Sequence, residues 1–417
     1  MMKKMTVLLL LIFLLSGCLF FGETTRDTVL REEQPVLESG LPETAAEESK
    51  REEAKAQQET EAEPDLEGKL LFAEKKADML RNQQHLYAFS TLQVTEQNLY
   101  VEMLYALTNY AEEMEVSTVE TGEIDKIFQC VMLDHPEIFY VDGYSFNKYT
   151  LGERVEKITF AGTYIYSREE KAARERLIEE KIGQIIREIP DRASDYDKVK
   201  FVYEWIIGNT EYDREALDNQ NICSVFLQGR SVCQGYAKAA QILLQRLGIP
   251  ASLVTGTVEN GEGHAWNLVS VDNDWYYLDT TWGDASYLFQ NGEQAMSQKM
   301  PEINYDYLCV TSKELLRTHS FSGLIPLPDC QAMEANYYVR EGSWFKEMNW
   351  EQLKTLVDRY NQEGRETLTL KCANEEIYQE MLEQLLGEQR IFDYLKPEGD
   401  SILYTDSDRQ LSITFWL

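Results

Sequence analysis

The sequence predicts an α+β fold in which a cysteine-bearing helix packs on an antiparallel sheet, with a small α+β module at the C-terminal end. Three observations predict it. After Cys233, the residues Tyr236, Ala240, Leu243, Leu244 and Leu247 recur on one helical face, Gly248 can take a left-handed end, and Pro250 stops the run. Next, "HAWNLVSV" and "DWYYLDTTW" read as strands of a hairpin turning at Asp272 and Asn273, a pair that tolerates positive φ. Last, "NYYVREGSWF", "ETLTLKCA" and "SILYTDSDRQLSITFWL" read as strands, with helices across Trp350 to Tyr360 and Glu375 to Leu386 between them.

Taken in order, the elements begin with "MMKKMTVLLLLIFLLSGCLF", two lysines before an apolar run too short for a comfortable bilayer span, then small residues before Cys18. This is the pattern of an export signal. Residues 22–66 are rich in Glu, Thr, Ala and Gln and hold too little apolar surface to offset the entropy of ordering, so they read as a tether. Helical spacing of Leu99, Met103, Leu107 and Tyr110 follows, then a helix through Cys130 that ends at His135 and Pro136, and extended segments at "IFYVDGYSF" and "KITFAGTYIYS". Cys130 reads as core and His135 as local structure. A charged helix over "REEKAARERLIEEKIGQIIREI" leads to a buried one in which Val199, Val202, Tyr203 and Ile206 share a face and Ser194 or Asp195 can cap. The expected organisation is a signal over 1–17, Cys18 with an acidic tether over 18–68, a helical and extended region over 69–190, a core unit over 191–328 that holds the Cys233 helix and the hairpin, and the C-terminal module over 329–417.

With 40 basic against 72 acidic side chains, a formal charge of −32 and no basic stripe, the composition argues against nucleic-acid binding, which depends on Lys and Arg neutralising phosphates. The acidity suits solubility and self-repulsion at a surface. Seven cysteines with no C-x-x-C spacing, and four histidines far apart in sequence, give neither a disulfide framework nor a zinc signature, so no metal or cofactor is expected. An EF-hand reading of the Asp272 loop fails, because Tyr277 and Gly283 stand where Gly and Glu are needed.

Cys233 can be read as core, as half of a disulfide, or as a nucleophile. Its place in a first helical turn, where N–H groups and the helix dipole favour an anion, supports the last reading by lowering a thiol's pKa. In the hairpin register Trp266 faces Asp279, with His264 on the same face one diagonal away. A carboxylate there can fix one imidazole nitrogen and leave the other to take a thiol proton. Gln234, Gly235 and Tyr236 are expected to shape the site, Gly235 by permitting close packing. Trp266, Trp282 and Tyr277 are candidates for a cleft wall or for core. The Cys233 N–H is the expected oxyanion donor; Gln228 could be a second one, though loop packing suits it better.

The segments "SVCQGYAKAAQILLQRLGIPASLVTGTV", "GHAWNLV" and "WYYLDTTWGD" resemble the three motifs of the bacterial transglutaminase-like superfamily. That resemblance extends over about residues 95–325. It implies a papain-like α+β fold with Cys233 as nucleophile, His264 as general base and Asp279 as its orienter. "LLSGC" resembles a lipobox, which implies cleavage before Cys18, lipidation of its thiol and attachment outside the cytoplasmic membrane. The expectation is an anchored cysteine enzyme that hydrolyses or transfers amide bonds of protein or cell-wall peptide, independent of nucleic acid. The alternative is a surface binding or scaffold lipoprotein that keeps the fold without the chemistry.

Overall fold

The structure, a computed structural model, describes residues 3–7, 63–284, 303–395 and 401–417. Cys18 and most of the expected tether lie outside these residues. The chain divides into two compact units. The first takes in the described residues up to 132 together with 140–167, and the second the remainder, residues 133–139 and 168 onward.

In the first unit, strand β1 (Lys3–Val7) is followed by helices α1 (Glu63–Asn82) and α2 (Val94–Asn109), strand β2 (Met114–Val116), helix α3 (Thr121–Asp134), and strands β3 (Val141–Leu151) and β4 (Arg154–Tyr164). Helix α2 starts with a capping box between Gln93 and Glu96 and buries Leu99, Met103 and Leu107, as their spacing predicts. Tyr110 instead ends it, in the left-handed region at φ 53°. Helix α1, which begins inside the expected tether, carries Phe72 against Tyr105 with ring centroids 5.0 Å apart. The antiparallel sheet runs β1-β3-β4-β2. Processing before Cys18 would remove β1 and leave three strands.

The second unit opens with the end of α3, where His135 is buried and its Nδ1 lies 2.5 Å from Glu137. Helix α4 (Arg168–Ile186) precedes α5 (Asp195–Asn209), which Ser194 caps in a box with Asp197 and which buries Val199, Val202, Tyr203 and Ile206 completely. The short strands β5 (Glu211–Tyr212) and β6 (Arg230–Ser231) pair in parallel and deliver the chain into α6 (Cys233–Arg246). The end of α6 is a Schellman motif: Gly248 sits at φ 78°, its N–H reaches the Gln245 carbonyl at 3.1 Å, and the Ile249 N–H reaches Leu244 at 2.9 Å.

Strands β7 (Ala251–Val258), β8 (Gly263–Val271), β9 (Asp274–Leu278) and β10 (His319–Phe321) form a four-stranded antiparallel sheet in the order β10-β7-β8-β9. Asp272 and Asn273 turn the β8–β9 hairpin with φ of 54° and 75°. Both values are positive, so the two-residue turn follows the strand twist and pins the register. Val271 faces Asp274 and Asn267 faces Leu278, which places Asp279 next beyond the strand, opposite Trp266.

The C-terminal module holds β11 (Trp344–Phe345), α7 (Trp350–Glu363), β12 (Thr367–Cys372), α8 (Glu375–Leu382), β13 (Tyr404–Ser407) and β14 (Ser412–Trp416), in sheet order β11-β12-β14-β13. Phe345, Leu353, Val357, Leu368, Leu370, Ile413 and Phe415 give it its own core. One expectation is corrected here. The first part of "NYYVREGSWF" is a helical turn, Tyr337–Arg340, because Asn336 caps it by accepting the Tyr338 N–H and Gly342 reverses the chain at φ 68°; only Trp344–Phe345 pairs as a strand.

Candidate active site

Cys233 is buried at the first position of α6, behind an extended Val232. Two ties hold this end of the helix. Three residues on, the Tyr236 hydroxyl lies 2.7 Å from the Thr210 carbonyl and 2.9 Å from the Asp284 carboxylate, on the turn that follows Asp279. Four residues on, the Ala237 carbonyl accepts a 2.9 Å hydrogen bond from Asn267 of β8, the strand that carries His264. Gly235 is there because nothing larger fits: a Cβ would stand 1.9 Å from Ser231 Oγ and 2.8 Å from the Asn219 carbonyl. Gln234 is half-buried beside it. Gln228 donates its amide to the Leu217 carbonyl at 3.1 Å, a loop-packing contact.

The Cys233 sulfur is disulfide-bonded in this structure, so thiol chemistry there requires its reduction. Cys223, Cys309, Cys330 and Cys372 are buried thiols. Burial pushes Cys223, Cys330 and Cys372 up to about 12 and Cys309 higher still, which removes their thiolates at neutral pH.

His264 and Asp279 meet directly, with Nε2 2.7 Å from Oδ2 and both side chains almost wholly buried. The other carboxylate oxygen accepts the N–H groups of Thr281 at 2.9 Å and Trp282 at 3.1 Å. Burial alone would raise the Asp279 pKa, yet the charge and hydrogen bond of His264, with those of a second histidine, hold it well below the usual carboxylate range. The turn after Asp279 is rigid. Gly283 donates back to the Asp279 carbonyl at 3.0 Å and lies so close to Tyr203 that a Cβ would be 2.1 Å from its hydroxyl oxygen. Trp266 stacks on His264 at 5.9 Å between centroids, and Trp282 meets the same ring edge-on at 6.2 Å. Trp266 and Tyr277 are fully buried, which makes them core, while Trp282 is 8% exposed and borders a cavity of about 570 Å³.

The second histidine is His319, which the sequence reading passed over. Its Nε2 lies 3.0 Å from the same Asp279 Oδ2, and its Nδ1 lies 2.8 Å from Thr318 Oγ1. Strand β10 brings it in by pairing with β7, His319 opposite Val258. Burial, outweighing the pull of Asp279 and the Leu315 carbonyl, lowers its pKa and keeps the ring neutral at pH 7. His264, Asp279 and His319 present ligand atoms within 4.8 Å of one another, a donor set able to hold a metal ion. The two N···O distances are those of hydrogen bonds, and the two backbone N–H groups on Oδ1 satisfy the rest of the carboxylate.

A family model for the transglutaminase-like superfamily core matches residues 184–280. This chain contains a transglutaminase-like domain. The matched span holds Cys233, His264 and Asp279, and His319 lies beyond it. Kyphoscoliosis peptidase of Mus musculus is 24% identical over 136 residues, covering 28% of this chain and 21% of that protein. Its Homo sapiens counterpart is 26% identical over 106 residues, covering 22% and 16%. The chain thus spans about a fifth or less of the length of these relatives. Among solved structures, the chain is similar to a TGase at 18% identity and TM-score 0.24, covering 40% of this chain and 51% of that one. A candidate cysteine protease from Cytophaga hutchinsonii aligns at 16% identity and TM-score 0.23, covering 34% and 58%. Among the described residues, no helix is long and apolar enough to cross a membrane.

Proposed function

We propose that the chain is a cysteine enzyme acting on amide bonds through a thioester, with Cys233 as nucleophile, His264 as general base and Asp279 as its orienter. The observation that carries this reading is the buried 2.7 Å contact between His264 Nε2 and Asp279 Oδ2. A carboxylate only accepts, so Nε2 carries the proton and Nδ1 is left as the base. In the reduced protein Nδ1 takes the thiol proton, and the thiolate adds to the amide carbonyl carbon. The C–N bond then breaks as the imidazolium returns its proton to the leaving amine. Water or a second amine resolves the thioester and restores the thiol. First-turn N–H groups of α6, that of Cys233 foremost, supply charge stabilisation for the tetrahedral oxyanion.

Protein or cell-wall peptide is the proposed substrate class, and the lipid on Cys18 the proposed link to the outer membrane face. A diacylglycerol together with an amide-linked chain gives the two hydrophobic signals that stable anchoring needs. Incubation of the reduced protein with casein and a labelled primary amine separates the outcomes. Fragments without label support hydrolysis, label in casein supports acyl transfer, and neither product, or equal product from Cys233→Ala, refutes the enzyme reading in favour of a binding lipoprotein.

A further inference from the structure

The C-terminal module is joined to Asp279 by an unbroken series of buried polar contacts. Lys371 of β12 is buried, paired with Asp306 at 2.7 Å, and donates to Gln410 Oε1 at 3.3 Å. An ammonium can only donate, so the Gln410 amide must turn its oxygen toward Lys371 and its nitrogen away. That nitrogen donates to the Tyr307 hydroxyl at 2.7 Å. Tyr307 Oη lies 3.3 Å from Thr318 Oγ1, which lies 2.8 Å from His319 Nδ1, and His319 Nε2 reaches Asp279 Oδ2 at 3.0 Å. At the far end stands a carboxylate, which only accepts. The Thr318 hydroxyl has two acceptors in reach, His319 Nδ1 at 2.8 Å and the Leu315 carbonyl at 3.4 Å. With Nε2–H given to the carboxylate and the ring neutral, Nδ1 is a bare acceptor, the shorter contact takes the hydroxyl proton, and each group donates in the direction of Asp279.

We propose that the C-terminal module positions the Asp279–His264 pair through this one-way hydrogen-bond chain, with Gln410, Tyr307, Thr318 and His319 as positioning residues. The inference rests on the reading of Asp279 and His264 as catalytic partners and assigns the module a task within it. The Thr318 hydroxyl donating to Nδ1 selects the Nε2–H form of a neutral His319. His319 then fills a lone pair of Asp279 Oδ2 from a fixed direction, so that the carboxylate cannot swing away from His264. Tyr307 and Trp282 hold the ring in place, with centroids 5.6 Å and 5.0 Å from that of His319. The titratable groups facing His319 are Asp279, His264 and Tyr307. Tyr307 is held neutral by burial, and Asp279 is held charged.

The test uses the whole reduced protein with the substitutions Thr318→Val, Tyr307→Phe, Gln410→Ala, His319→Gln and His319→Leu, and two readouts. Nitrogen-15 NMR of the four histidine rings reports the tautomer of His319, assigned by its loss in His319→Gln. Iodoacetamide alkylation of Cys233 against pH reports the base. Wild-type His319 should be neutral with its proton on Nε2, and Thr318→Val should populate the Nδ1–H form. Cys233 alkylation at pH 6 should fall about three- to tenfold in Thr318→Val, the equivalent of one neutral hydrogen bond. Tyr307→Phe and Gln410→Ala should lower it in the same direction by less. His319→Gln, which keeps a donor, should recover rate that His319→Leu loses. A wild-type His319 protonated on Nδ1 alone overturns the inference whether or not any variant folds. So does an unchanged pH profile in Thr318→Val and His319→Leu. If wild-type Cys233 reacts no faster than Cys223, the enzyme reading fails, whereas the tautomer still decides the chain of contacts.

Discussion

Replacing Asp279 by Asn removes one charge and one acceptor while leaving the shape, and the structure sets the cost. The amide oxygen can keep the Thr281 and Trp282 N–H bonds made to Oδ1, whereas the amide nitrogen would sit at Oδ2, facing the Nε2 atoms of His264 and His319. Two hydrogen bonds to a charged acceptor, each about 1.5–3 kcal/mol, are lost. His319 can recover part by switching tautomer, since Thr318 Oγ1 can also accept, which leaves about 3 kcal/mol of destabilisation. For a unit of this size that is a fall in melting temperature of about 6–12 °C. If His264 switches as well, Nδ1 becomes protonated and the base is gone, and the corresponding change in serine hydrolases costs about 10⁴-fold in kcat. The pH dependence has a definite sign. Asp279 has a depressed pKa in the fold, so its stabilisation is complete above the ordinary value of 3.8 and is lost as pH falls through the lower folded value. The wild-type advantage over Asp279→Asn should therefore be constant above pH 5 and close toward pH 2. Circular-dichroism melts across that range, with casein turnover by the reduced protein, measure both effects. A variant that melts within 1 °C of wild type at pH 7, or that turns over within tenfold of it, refutes the assignment of Asp279.

Gly235→Ala should destabilise by about 1–3 kcal/mol in urea unfolding, because the new methyl meets Ser231 Oγ and the Asn219 carbonyl in a packed turn. Lys371→Met should cost about 3–5 kcal/mol by the same assay, since it leaves Asp306 charged and buried without its ion pair, and Lys371→Met with Asp306→Leu should recover most of it. Cys18→Ser should abolish lipid labelling and detergent partition in cells; wild type found solely in the culture medium would contradict the anchor.

Much of the site follows from short-range rules. The Asp272–Asn273 pair sets the hairpin register, and the register puts Asp279 opposite Trp266 with His264 one diagonal away. Gly248 and Pro250 end α6, so its start at Cys233 follows from counting the apolar face back. His319 was not legible. It stands 40 residues beyond Asp279, in a three-residue strand too short to show alternation, and only pairing of β10 with β7 brings it to the carboxylate. The dipeptide Thr318–His319 carries no spacing signal, since Thr318 acts on the ring of its own neighbour. Trp266 and Tyr277 were open between cleft and core because an aromatic on a strand looks the same in either role; burial from both faces of the sheet decides for core. The module's "NYYVREGSWF" misled for a related reason. Its β-prone residues are overridden by an Asn cap and a left-handed glycine, local chemistry that outweighs propensity in so short a segment.

The central claim is that Cys233 carries the acyl group. Reduced protein incubated with casein, quenched in acid and mapped by mass spectrometry should show an adduct on the Cys233 peptide that hydroxylamine removes. The adduct should be absent in His264→Ala and should not occur on Cys223, Cys309, Cys330 or Cys372, whose thiols burial holds protonated. Casein turned over at an undiminished rate by Cys233→Ala, or an adduct on another cysteine in place of Cys233, would contradict the account.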